Sequence, residues 1–139
     1  MKLILFSAIF TLIHAKLSGN FKIADELFQN VRNLVRNSKS QEAEKYFASD
    51  FEGVLYGNGF RDYNCPEFLY KLFEFKDSKF SDAIQISEDK DATIVLNYEF
   101  AAPNELIKLT IRSKFDGNGQ NLKFVSADFQ TFFVPPKNY

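Results

Sequence analysis

The last third of the chain limits its fold most. Ala92 to Phe100, Leu106 to Phe115 and Leu122 to Phe133 are three long segments of alternating apolar and polar residues. Turn signals join them at Pro103-Asn104 and at Asp116-Gly117-Asn118-Gly119. A period of two is incompatible with a helix and implies a half-buried antiparallel meander. With Pro103-Asn104 at the hairpin tip, Leu96 falls opposite Ile111, Tyr98 opposite Leu109 and Glu99 opposite Lys108. An odd-length loop after Phe115 then sets Lys108 against Asp128 and puts Val125, Ala127 and Phe129 with the apolar set. One face is thus apolar (Ile94, Leu96, Tyr98, Phe100, Ile107, Leu109, Ile111) and the other mixed and charged.

Helical periodicity comes before it. Phe21, Ala24, Leu27, Phe28, Val31, Leu34 and Val35 form one face of a helix of about four turns. Asn37-Ser38-Lys39-Ser40 breaks it, and Ser40 is the expected N-cap of a short second helix burying Ala43, Tyr46 and Phe47. Asp50 to Tyr56 reads as a strand, turned by Gly57-Asn58-Gly59. A third helix is expected with Cys65 as N-cap, Pro66 at its first position, and Phe68, Leu69, Leu72 and Phe73 on its apolar face. Ile84 and Ile86 alternate with Gln85 and Ser87 in a further strand. With neither internal repeat nor linker, one domain is the simplest count.

Residues Met1 to Ala15 read as a secretory signal peptide. Lys2 is followed by an almost unbroken apolar run from Leu3 to Ile13, closed by His14 and the small Ala15. The run is about half the roughly 20 residues a membrane span needs. The expected organisation is a signal at 1–15, one domain at 16–134, a short tail at 135–139 and an extracellular destination. His14 is the only histidine, so the exported chain would lack the commonest acid/base and metal-ligand side chain. Of 17 Phe, two lie in the signal, leaving 15. Burying each is worth about 2–3 kcal/mol, so the core is aromatic. One cysteine, Cys65, cannot form an internal disulfide; its functional use would be an intermolecular one. A formal charge of -1 without a basic run argues against nucleic acid.

The element order is α+β, and particular residues carry a resemblance. The stretch from Leu34-Val35-Arg36-Asn37-Ser38 to Glu44-Lys45-Tyr46-Phe47-Ala48-Ser49-Asp50-Phe51, then Gly57-Asn58-Gly59-Phe60-Arg61 and Cys65-Pro66-Glu67-Phe68-Leu69, resembles the nuclear-transport-factor-2-like superfamily. There a short second helix ends in a "YA-x-DF"-like run, and a "G-R-E-x-I"-like start opens the third helix. The likeness spans nearly all of the chain after Ala15 and extends to the small secreted members found in nematodes. It implies a cone: a curved antiparallel sheet wrapped around about three N-terminal helices, with an apolar pocket and a habit of pairing sheets into homodimers.

That superfamily holds both enzymes and binding modules, so fold does not choose between them. Isomerase-like members carry a carboxylate base at a position that falls near Leu55, and a helix tyrosine near Val31; both are apolar here. Dehydratase-like members need a histidine. These departures leave a non-enzymatic domain binding a small apolar ligand or a protein as the expectation, and without Cys/His clusters neither metal nor cofactor is expected. Tyr56 and Tyr98 are the expected polar handles of an apolar pocket, against the plainer reading as core tyrosines. An enzyme with relocated carboxylates would draw on Asp50, Glu52, Asp62 or Asp128, whose plainer readings are strand-end, turn and cross-strand charges. A cystatin-like inhibitor is a third reading, opposed by the three helix signals and the lack of a "Q-x-V-x-G" loop.

Overall fold

A computed structural model describes residues 19–57, 59–88, 92–117 and 119–133. The signal at 1–15 and the tail at 135–139 lie outside them. Helix α1 spans Asn20–Arg36 and buries Phe21, Ala24, Phe28, Val31 and Val35, the expected stripe. Ser38, at φ 61°, ends it in the left-handed region, where Lys39 N–H donates back to the Leu34 carbonyl at 2.8 Å. Helix α2 (Ser40–Ala43) runs into a single tight turn, Glu44–Tyr46. Lys39, and not Ser40, holds its N-cap position, and no side chain caps the helix.

Six strands follow: β1 (Phe47–Gly57), β2 (Gly59–Tyr63), then after helix α3 (Cys65–Glu74) β3 (Ile84–Glu88), β4 (Ile94–Ala102), β5 (Glu105–Phe115) and β6 (Leu122–Phe133). They form one sheet in the order β2-β1-β6-β5-β4-β3. Strand β2 was not foreseen, and Asp62, expected in a turn, lies on it opposite Val54. Neighbours are antiparallel except for β1 and β6, which pair in parallel, so the sheet is mixed.

The β4–β5 register is the expected one, with Leu96 opposite Ile111, Tyr98 opposite Leu109 and Glu99 opposite Lys108. The β5–β6 register is not. Arg112 faces Ser126 while Ser113 faces Phe124, which leaves Val125 as the extra residue of a bulge. Phe124 therefore takes the inward place expected for Val125, while Ala127 and Phe129 stay inward. Asp128 lies opposite Thr110, not Lys108, and pairs diagonally with Arg112 at 2.8 Å. Further irregularities in β1 and β3 help to curve the sheet.

The concave face carries the core. Phe28 from α1 packs on Tyr98 and Phe124, with ring centroids 4.6 and 6.2 Å apart. Phe68 from α3 meets Phe51 and Phe129 at 5.2 and 5.3 Å. Phe80 stacks on Phe100 at 4.1 Å, the planes 5° apart. Rings thus link both long helices to β1, β4 and β6, as a chain without an internal disulfide requires.

Candidate functional site

A cleft of about 620 Å³ lies between the end of α3 and the sheet. Leu55 and Gly57 of β1, Phe129 and Thr131 of β6, and Glu105 and Ile107 of β5 supply the sheet wall. Lys71 and Phe75, from α3 and the residue that caps it, supply the other. Register explains the grouping: Leu55 pairs with Phe129, and Ile107 with Thr131, so alternate residues of three adjacent strands face inward together.

The floor is apolar and the rim polar. Thr131 Oγ1 donates to the Tyr56 carbonyl at 3.2 Å. Lys71 Nζ lies 3.2 Å from Glu74 Oε2 and 5.3 Å from the centre of the Phe75 ring. Gly57 allows the close approach of β1 to β6, since a Cβ there would sit 2.9 Å from Thr131 Oγ1. Leu55, near which the resemblance would set a base, lines this cleft as an apolar residue. Val31, near which it would set a helix tyrosine, is fully buried in the core.

The two tyrosines lie elsewhere. Tyr56 is 44% exposed and pairs with Phe60 and Gln130 on the convex face. Tyr98 is fully buried, its hydroxyl donating to Asp25 Oδ1 at 2.7 Å. The same Oδ1 accepts from Gln29 Nε2 at 3.2 Å, and Gln29 Oε1 accepts from Arg32 Nη1 at 3.0 Å. Arg32 stacks on Phe80, its guanidinium carbon 3.7 Å from the ring centre. Burial first, then the bond to Asp25, pushes the Tyr98 pKa up. The only signals for this network were the helical spacing of Asp25, Gln29 and Arg32 and the inward phase of Tyr98.

Cys65 occupies the first helical position of α3, not its cap. Asn64 is the cap: its side chain accepts from Glu67 N–H at 3.0 Å, and Glu67 Oε1 accepts from Asn64 N–H at 3.3 Å. Burial, reinforced by nearby Glu44, pushes the Cys65 thiol up to about 11. That is opposite to the lowering a helix N-terminus would give.

Of the four carboxylates, Asp50, Glu52 and Asp62 are exposed outside the cleft. Asp128 is held by Arg112. Among the described residues no three His, Cys, Asp or Glu side chains gather as a metal site, and no helix is long and apolar enough to cross a membrane.

No protein-family model and no curated protein sequence matches the chain. Solved structures do. An NTF-2-like protein of unknown function from Silicibacter pomeroyi superposes with a TM-score of 0.61 at 13% identity, over 80% of this chain and 96% of that one. An NTF2-like protein from Cytophaga hutchinsonii gives 0.61 at 13% identity, over 83% and 100%. The fold is the NTF2-like cone. ActVI-ORFA from Streptomyces coelicolor shares it, with a TM-score of 0.61 at 10% identity over 82% and 98%. The cystatin-like alternative does not fit this NTF2-like cone of six strands.

Proposed function

We propose that this NTF2-like domain binds a small, largely apolar molecule in the cleft at the end of α3. The observation that carries the reading is the cleft itself: about 620 Å³, with Leu55, Ile107, Phe129 and Phe75 below a polar rim. Polar and apolar groups line it together, and small-molecule sites combine apolar walls with placed polar groups. Binding is favoured over catalysis because the candidate base position, Leu55, is apolar and the four candidate carboxylates lie outside the cleft; of the charged residues that line it, Lys71 is paired with Glu74 and Glu105 stands alone at the start of β5. Tyr98 is a core residue outside the lining of the cleft, and Tyr56 meets the cleft only through the carbonyl that accepts from Thr131. Titration with a hydrophobic dye and its displacement by fatty acyl compounds tests this. Saturable binding that Leu55→Trp abolishes is expected; no binding to the native protein overturns it.

The domain acts outside the cell in this reading, as Met1 to Ala15 imply, alongside the small exported members of the superfamily. Detection of a mature chain beginning near Lys16 in the medium of an expressing cell tests that, and retention of an uncleaved chain in the cytosol contradicts it.

A second copy is the partner we assign to the convex sheet face. Phe60, Phe132, Tyr56 and Leu106 there are 71, 50, 44 and 39% exposed. Charges of both signs, Glu99 with Lys108 and Asp128 with Arg112, share the face, so two copies related by a twofold axis can match them. A dimeric mass by light scattering under reducing conditions is expected. A strictly monomeric mass overturns it, and a dimer seen only under oxidising conditions would assign pairing to Cys65 instead.

A further inference from the structure

We infer that the occupant of the cleft carries a cationic, ammonium-like head. The inference rests on the cleft being a ligand site and deepens that reading. Two charged residues line the cleft, and only one is neutralised. Lys71 is paired with Glu74, the next acidic side chain along α3, at 3.2 Å. Glu105 opens β5 just after Asn104, whose φ of 63° makes the tight turn. Its carboxylate makes no ion pair or hydrogen bond among the described residues. Since Glu74 cancels the charge of Lys71 from outside the lining, Glu105 leaves the cleft one net negative charge, close to apolar walls that focus it.

The hydrogen-bonding inventory points the same way. The Thr131 hydroxyl already spends its proton on the Tyr56 carbonyl, so towards a ligand it has only lone pairs left. Glu105 also only accepts. The rim is therefore supplied with acceptors, and its free donors are the remaining N–H groups of Lys71, whose charge Glu74 already neutralises. A carboxylate head could accept from Lys71 but would add negative charge to a group that already carries a net one. A hydroxyl head could be satisfied but gains no charge. An ammonium head offers three donors and the compensating charge, while its alkyl body covers Leu55, Ile107, Phe129 and Phe75.

Three probes of equal chain length and different heads test this: dodecylamine, dodecanol and dodecanoate, each below its micelle concentration at neutral pH, competing for a bound dye. Dodecylamine should bind about threefold or more tighter than dodecanol, the size expected of one solvent-exposed charge pair, with dodecanoate weakest. Glu105→Gln should bring the amine to the level of the alcohol, and the preference of the native protein should shrink from low to high salt. The inference is overturned if dodecanoate binds tightest, if amine and alcohol bind alike, or if Glu105→Gln leaves the preference intact. Should none of the three bind, the cleft reading itself fails, a result distinct from binding without head selection.

Discussion

Tyr98 and Asp25 are joined by a 2.7 Å hydrogen bond that ties the middle of β4 to α1 across 73 positions of sequence. The acceptor is a half-buried carboxylate at the edge of the helix stripe, and the donor is buried under Phe28 and Phe80. Such a bond is stronger than a neutral one and leaves a half-buried carboxylate short of a partner when it is lost. Tyr98→Phe should therefore cost about 1–2 kcal/mol in urea unfolding. An unchanged midpoint would show that water replaces the hydroxyl without loss.

The pH dependence follows with a definite sign. The folded-state pKa of Tyr98 lies above its unfolded value of about 10. The protonated hydroxyl is favoured by folding, so its contribution is complete below about pH 10 and is lost as the pH rises beyond. Stability of the native protein should fall above pH 10 more steeply than that of Tyr98→Phe. Parallel curves would mean that Tyr98 ionises as freely when folded as when unfolded.

Phe28 of the aromatic core contacts Phe80, Tyr98 and Phe124 and is fully buried. Phe28→Ala should destabilise by about 3–5 kcal/mol, from lost transfer energy and the cavity left behind. Phe60→Ala, at a ring 71% exposed on the convex face, should change the stability of the monomer by less than about 0.5 kcal/mol. Equal effects at the two positions would contradict this division of core from surface.

Most of this core was legible in the sequence, because a period of 3.6 in α1 and of two in β4 and β5 each select one burial pattern. What escaped is where a single residue shifts the phase. Val125 bulges, so Phe124 and not Val125 points inward, and Asp128 meets Arg112 instead of Lys108. Asn64 took the cap from Cys65 because an amide oxygen accepts a hydrogen bond better than a thiol. The cleft was hidden for another reason. Leu55, Lys71, Glu105 and Thr131 come from four separate elements, and the parallel β1–β6 pairing that gathers them leaves no local pattern.

Cys65 should be a slow thiol. Raising its pKa from 9.0 to about 11 lowers the thiolate fraction at pH 8 about 100-fold, while the greater nucleophilicity of a more basic thiolate recovers about tenfold. Alkylation by iodoacetamide at pH 8 should thus run roughly tenfold slower in the folded protein than in urea. The sign for stability matches that of Tyr98: the protonated thiol is the form folding favours, so its contribution fades above about pH 9. Equal alkylation rates would show a thiol as available as in an open chain, and ready for the intermolecular disulfide.

Asn97 offers a stabilising change. It lies on the convex side of β4 between Ile84 and Thr110, is 7% exposed, and its Oδ1 is buried without a hydrogen-bond partner among the described residues. A buried acceptor left unsatisfied costs about 1–3 kcal/mol. Valine is close in size, prefers strands and has no acceptor to desolvate. Asn97→Val should raise the unfolding free energy by about 1 kcal/mol, whereas Asn97→Asp, which puts a charge in the same place, should lower it. The comparison is best made at a protein concentration where only monomer is present, so that the measurement reads the fold and not the association of two sheets. If valine destabilises, the amide is forming a bond worth more than the orphaned oxygen costs, and the centre of the convex face is better satisfied than its geometry indicates.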